Sequence, residues 1–436
     1  MEPLAIGAGA LVALFVLLLL SVPVGVAMGL CGLAGISMII GWNAAFALFG
    51  TTVVETVVTY DLSIIPLFVL MGAIASRSGL SSSLYHAFHA WFGAMRGGLA
   101  LSTVASCGAF SAICGSSVAT AATMTRVAVP EMRRFSYSDS LSTASVAAGG
   151  IIGILIPPSV VMVLYGILTQ TSIGDLFIAG LVPGLLTVAG FMLVVAAVTR
   201  WNPDSGPAGD ATTLAEKLSA AAGTWPILLL FCLVIGGIYL GVFTPTEAAG
   251  VGAVGAFLIA AARRRLGTGR LLAALRETLT TTAMIFVVLI GAVTLNNLIV
   301  FSGIAAGLSG FVSGLALSPA MTMAVILLIY LVLGCFLDAL AMILLTVPIF
   351  FPIVSSLGFD PVWFGVIVVM VVELGLITPP IGMNIFVIKG MVPDVPLAAI
   401  YRGVVPFVLA QIVLIATVFA LPELALWLPE TARGLR

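Results

Sequence analysis

Apolar positions in this chain fall in long runs separated by short polar stretches. Runs such as 4–20, 226–243 and 400–422 are long enough, or nearly so, to cross a hydrocarbon core about 30 Å thick. The pattern predicts spans near 4–20, 22–41, 62–76, 138–168, 174–199, 225–243, 245–262, 278–300, 362–388 and 403–427. Two stretches, 98–135 and 320–354, read differently. Each begins apolar, breaks at small or polar residues near its middle, then resumes and ends near a proline. One run, GGIIGILIPPSVVMVLYG at 149–166, carries Pro157 and Pro158 at its centre. A proline inside a helix removes an N–H and clashes with the preceding turn, at a cost of about 3 kcal/mol.

The double proline recurs in ELGLITPPIGMNIFVIKGM, 373–391, where Pro379 follows Pro157 by 222 residues. The same offset links Pro23 to Pro245 and Pro130 to Pro352, while Pro406 follows Pro183 by 223. The chain therefore reads as two halves of one repeat. Irregular backbone at membrane depth is tolerated only where protein buries it or a polar cavity borders it. Breaks at the two double prolines free carbonyls around residues 153–156 and 375–378. Freed carbonyls suit a small cation, and half-helix N-termini suit an anion.

Charge supplies the orientation. If 98–135 and 320–354 both return to the side they entered from, the sixteen basic residues sort cleanly. Arg77, Arg96, Arg126, Arg133, Arg134, Arg200, Lys217, the arginines at 263–265, Arg270, Arg276, Lys389 and Arg402 fall on one side, and only Arg433 and Arg436 on the other. By the positive-inside rule the crowded side is cytoplasmic and the N-terminus lies outside. The span after Pro23 then runs outward and the span after Pro245 inward, so the halves are inverted, as in many secondary transporters. The expected fold is an all-α polytopic membrane protein with about ten full spans, two re-entrant helical hairpins and two broken helices.

Composition closes off other classes. The chain is 61% hydrophobic and 8% charged, against about 25% charged for a soluble domain. A net charge of −1 offers nucleic acid nothing. The first run lacks a basic leader and reads as a transmembrane helix rather than a cleaved signal peptide. Neither lysine, Lys217 or Lys389, sits in an ATP-binding P-loop. The five cysteines have no C-x-x-C spacing and read as small buried hydrophobes.

The stretches CGSSVATAATMTRVAVPEM (114–132), GIIGILIPPSVVMVLYGILTQTSIGDLFIAGLVPGLL (150–186), TPTEAAGVGA (244–253), GCFLDALAMILLTVPIFFPIV (334–354) and FGVIVVMVVELGLITPPIGMNIFVIKG (364–390) resemble the large membrane subunit of TRAP (tripartite ATP-independent periplasmic) transporters, the dicarboxylate-carrier family. The resemblance implies a sodium-driven elevator importer in the bacterial inner membrane. Its implied partners are a small four-helix membrane subunit and a periplasmic binding protein that delivers an organic acid such as a C4-dicarboxylate or sialic acid. It also implies a Na+ site at Gly115, Ser116 and Ser117 beside Ile156 and Pro157. A mirror Na+ site would use Gly334, Asp338, Thr378, Pro379 and Asn384. Substrate would lie between them, against Ser116, Ser117, Arg126, Pro158, Ser159, Thr378 and Pro380. The expected moving body is 98–168 with 320–388; 1–97, 169–319 and 389–436 form the scaffold, with interfacial arms at 80–95 and 303–318.

Each candidate has a structural alternative. Ser116 and Ser117 could simply permit close helix packing. Asp338 in a hydrophobic hairpin costs about 2.5–3.5 kcal/mol and needs a partner, a cation first, a hydroxyl or buried arginine otherwise. Arg126 could clamp a substrate carboxylate or snorkel to the interface, and both readings stay open. Glu373 could join the second cation site or make a scaffold contact. Asn296 and Asn297 read as interhelical hydrogen bonders, Glu247 as a helix-start carboxylate, and His86 and His89 as part of an arm. The alternatives of function are a sodium-coupled carboxylate carrier working without a binding protein, a passive channel and, more remotely, an intramembrane protease. The protease would use Ser309 in GLSG, or Asp61 with Asp175. A serine nucleophile needs a base in reach, yet both histidines fall on the opposite side from Ser309.

Overall fold

Helix starts in this chain are set by prolines and short polar side chains. Pro3, Pro245, Pro319 and Pro361 occupy first-turn positions whose N–H would go unused. Ser116, Ser138, Ser159, Ser172, Thr244, Ser318, Asp338 and Asp360 cap their helices through the side chain. Glu247 completes a capping box with Thr244, the structural role expected of it. The computed structural model describes residues 2–209, 212–304, 306, 307, 310 and 318–435, and no strand occurs among them.

The first half comprises α1 (Pro3–Leu19), α2 (Val24–Ile40), α3 (Trp42–Val58), α4 (Ile64–Arg77), α5 (Leu80–Phe92), the hairpin α6 (Gly98–Cys114) and α7 (Ser117–Arg134), the broken helix α8 (Asp139–Leu155) and α9 (Val160–Thr169), and α10 (Ile173–Trp201). A short α11 (Leu214–Ala222) leads to the second half. That half has α12 (Trp225–Tyr239), α13 (Pro245–Ala262), α14 (Thr268–Ser302), the hairpin α15 (Pro319–Gly334) and α16 (Ala339–Ser356), the broken helix α17 (Pro361–Gly375) and α18 (Met383–Met391), α19 (Leu397–Ala420) and α20 (Glu423–Leu435). Among the described residues seven helical segments are long and apolar enough to cross a membrane, accompanied by shorter apolar helices. Every expected span coincides with a helix or a helix pair.

The repeat governs packing as well as sequence. Adding 222 to the bounds of α7 gives those of α16, and α2, α6, α8, α9 and α10 land within about three residues of α13, α15, α17, α18 and α19. Contacts obey the same relation. Helix α2 packs on α14 while α13 packs on α4, and α7 packs on α18 while α16 packs on α9. At the first of these crossings a Cβ on Gly291 would lie 2.1 Å from the Gly25 carbonyl oxygen, so the backbones meet directly. The helices sort into a group of α1–α4 with α12–α14, and a second group of α6–α10 with α15–α19. The groups touch mainly where α4 meets α6 and α14 meets α16.

Two features depart from the sequence reading, and one expectation falls outside the described residues. Helix α3 was not expected; WNAAFALFGTTVVETVV carries threonines and a glutamate that mask it as a span. Its counterpart 222 residues on is the polar start of α14, a single 35-residue helix doing what α3 and α4 do together. The last span ends at Ala420 rather than 427, because Leu421 and Pro422 turn the chain into the separate α20. The second arm expected at 303–318 lies mostly outside the described residues, as does Ser309.

Candidate transport site

Each hairpin tip is seated on a helix break, and glycines set the fit. Gly115 has φ +63°, and a Cβ there would lie 2.6 Å from the Pro158 carbonyl oxygen. A Cβ on Gly153 would lie 2.9 Å from the Ser116 carbonyl oxygen and 3.0 Å from Ser117 Cα. At the mirror position a Cβ on Gly375 would meet Gly334 Cα at 2.6 Å. The Gly382 N–H also donates to the Cys335 carbonyl at 3.4 Å. Both Pro157-Pro158 and Pro379-Pro380 are cis. The structure thus brings Gly115, Ser116 and Ser117 to Ile156, Pro157, Pro158 and Ser159, and Gly334 to the second break.

The breaks are not equivalent chemically. Pro157 and Pro158 have no N–H to give the carbonyls of Gly153 and Ile154, as the sequence predicts. At the second break two of the expected free carbonyls already have donors. Gly375 C=O accepts from the Thr378 N–H at 3.1 Å, and Leu376 C=O from the Asn384 N–H at 3.1 Å. Thr378 Oγ1 donates to the Leu374 carbonyl at 2.6 Å. Pro379 and Pro380 are exposed, and the Tyr401 hydroxyl lies 2.8 Å from the Pro380 carbonyl and 2.6 Å from that of Ile381. Asn384 is fully buried beside Ala121 and Gly150 of the first half. Neither polar atom of its amide has a hydrogen-bond partner among the described residues.

The partner of Asp338 is neither a hydroxyl nor an arginine. Its Oδ1 accepts from the Ala341 N–H at 3.0 Å and caps α16, where a carboxylate also complements the helix dipole. Ser117 donates to Glu373, at 2.8 Å to Oε1 and 3.1 Å to Oε2, and both residues are buried. Glu373 therefore contacts the first hairpin, a pairing 256 residues apart that no local pattern announces. Ser159 is also buried and caps α9 through the Met162 N–H at 3.3 Å.

A cavity of about 550 Å³ opens between α4, α14 and the first hairpin, at the end where Arg77 and Arg126 lie. Gly115, Ser116 and Arg126 line it, together with Leu340 of the second hairpin. Arg126 is exposed, its Nε 3.4 Å from the Ala122 carbonyl, and it joins no ion pair among the described residues. Arg77 and Glu277, on the opposite wall, are paired at 2.6 Å. Of the residues expected around substrate, Ser116 and Arg126 share this cavity. Ser117, Pro158 and Ser159 are buried, and Thr378 and Pro380 do not line it.

A second cavity, about 750 Å³, is lined by Asp61, Gly174 and Thr244 among others. Next to it the Asp175 carboxylate is engaged by Arg433 at 2.7 Å, which ties one of the two aspartates of the protease reading to a structural ion pair.

The model of the family described as tripartite ATP-independent periplasmic transporter, DctM component, matches residues 11–424. A C4-dicarboxylate TRAP transporter large permease protein of Pseudomonas aeruginosa is 39% identical over 377 residues, covering 86% of this chain and 88% of that one. A sialic acid TRAP transporter large permease protein of Vibrio cholerae is 32% identical, covering 86% and 87%. The solved YdaH transporter of Alcanivorax borkumensis shares the fold with a TM-score of 0.67 at 15% identity, over 87% of this chain and 88% of that one. The tips seated on breaks, the repeat and these matches lead to one assignment: the chain belongs to the family of large membrane subunits of tripartite ATP-independent periplasmic transporters.

Proposed function

We propose that this chain is the carrier of a sodium-driven importer of a small organic acid. It would work without ATP, beside a small membrane subunit, on substrate delivered by a periplasmic binding protein. The observation that carries the reading is Arg126, exposed and without an ion-pair partner among the described residues, in a cavity it shares with Ser116 at the N-cap of α7. A guanidinium and a helix N-terminus both favour a carboxylate. The relatives named for C4-dicarboxylate and sialic acid transport act on substrates of that class.

The donor set fits a monovalent cation. Beside the first tip stand the unpaired-by-proline carbonyls of Gly153 and Ile154 with the Ser117 hydroxyl, and beside the second stand Asp338 and Thr378. No group of three His, Cys, Asp or Glu suited to a metal ion occurs among the described residues. Carbonyls, hydroxyls and a single carboxylate make a hard, weakly charged oxygen site, which suits Na+ better than a divalent ion. Sodium would supply the driving gradient, and the residues above would hold it.

The moving body in this reading contains 98–168 and 320–388. We add α10 and α19 to it, in place of their expected scaffold position, because both pack on α8 and α17. The cavity is lined by Arg77 and Arg126 of the basic end, which supports reading the arrangement as inward-facing, in a multi-pass inner-membrane protein with its N-terminus outside. The test is uptake into proteoliposomes holding this chain, its small subunit and the cognate binding protein. C4-dicarboxylates and sialic acid should accumulate with an inward sodium gradient. Accumulation with potassium replacing sodium on both sides, without a proton gradient, would reject sodium coupling; undiminished uptake without the binding protein would favour the simpler carrier.

A further inference from the structure

Glu373 is 1% exposed and, among the described residues, has no ion-pair partner. Ser117, from the other half of the repeat, donates to both its oxygens. An acidic side chain at membrane depth is costly and is kept for a task. The chemistry of the pair defines that task. A serine hydroxyl has one proton to donate and two lone pairs to accept with. With the proton directed at Glu373, the lone pairs are all that Ser117 can offer elsewhere. Its Cα lies 3.0 Å from the Cβ position of Gly153, at the seam where proline has stripped carbonyls of their donors. An oxygen fixed as an acceptor in that seam joins the carbonyls in attracting a cation and repels a carboxylate.

Resting on the sodium-driven reading above, we propose that Glu373 is a positioning residue for the first cation site. By accepting the Ser117 hydrogen bond it commits the lone pairs of that hydroxyl to the cation and removes the hydroxyl from the substrate contacts. The device exists in one half only. The residue 222 positions before Glu373 is Ile151, and the residue 222 after Ser117 is Ala339. The two cation sites therefore differ in how their oxygens are held, although the surrounding helices repeat.

Sodium-dependent thermal stabilisation of the purified complex with its small subunit tests this without reference to transport rate. Glu373→Ala should raise the sodium concentration for half-maximal stabilisation about tenfold or more, since loss of an outer partner costs ~10–100-fold in metal affinity. Glu373→Met, which keeps the volume without an acceptor, should do the same. Glu373→Gln, which keeps one acceptor oxygen, should recover most of the affinity. Ser117→Ala should shift the midpoint too, and adding it to Glu373→Met should shift it no further, because the two act as a unit. The substrate KM at saturating sodium should not move. A folded Glu373→Met complex that titrates like the wild type, or shifts that simply add, would overturn the proposal alone. A wild-type complex with no sodium-dependent stabilisation would instead overturn the sodium reading on which it rests.

Discussion

Asp338 stands 222 residues after Ser116, and each caps the second arm of its hairpin by accepting from the N–H three residues on, Ala341 at 3.0 Å and Ala119 at 3.3 Å. The two halves thus use the same local device with different charge. A serine cap leaves the first tip neutral, whereas an aspartate cap puts a carboxylate at the second. The cap explains why Asp338 is tolerated in a hydrophobic hairpin, and in the sodium-driven reading proposed above its charge would serve a cation.

The two roles separate by substitution. Asp338→Ser keeps a capping oxygen and removes the charge, so the complex should stay folded while the sodium requirement for uptake rises. Asp338→Ala removes both, and should lose a further 0.5–2 kcal/mol or so of stability, the usual value of a cap. Sodium titration of uptake together with thermal unfolding checks both. Equal stability of the two variants would remove the capping role, and wild-type sodium curves in both would remove the cation role.

Arg126 is expected to act on substrate alone. Arg126→Gln should raise the substrate KM by about ten- to a hundredfold, on the order of 1.5–3 kcal/mol for a charged hydrogen bond, with the sodium midpoint unchanged. Initial uptake rates at saturating sodium measure this. An unaltered KM would leave Arg126 as a snorkelling side chain at the interface.

The elevator reading demands that the tips change exposure. In a background lacking the five native cysteines, single cysteines at Ser116 and Ala339 should alter their labelling in opposite senses as the cycle is driven between facing states. Labelling from each side of the membrane, with and without sodium and substrate, is the measurement. Fixed labelling at both positions would return the channel reading to contention.

Outside the spans, Arg133 at the end of α7 joins Asp139 at the start of α8 to Asp394 in the loop after α18. The hydrogen bond from Arg133 holds the Asp394 carboxyl below its ordinary range. A depressed folded value means stability that is present above the unfolded value, about 3.9, and is lost as pH falls through the folded one. The difference in thermal unfolding between wild type and Asp394→Asn should therefore be full at pH 7, begin to shrink near about pH 4 and vanish as the pH falls through the lower folded value. A gap that is constant with pH would show that the ion pair contributes nothing through its charge.

Much of this protein was legible along the chain because membrane physics acts locally. Runs of apolar residues must form helices to satisfy their own backbone, so the spans and the two breaks follow from pattern and proline, and the two hairpins from the sorting of the basic residues. Repeat register was equally readable, since proline and glycine positions are dictated by backbone geometry rather than by neighbours. Helix α3 was hidden because threonines and a glutamate interrupt its apolar run, and the turn into α20 because apolar residues continue across it. What only tertiary structure decided was pairing. Nothing near Glu373 in sequence names Ser117 as its partner, and nothing near Asn384 places its amide against Gly150. The capping of Asp338 follows a local rule that burial in a hairpin had obscured. Side chains drawn from opposite halves meet only once the two repeats interlock, and whether a buried oxygen donates or accepts is fixed by what it then touches.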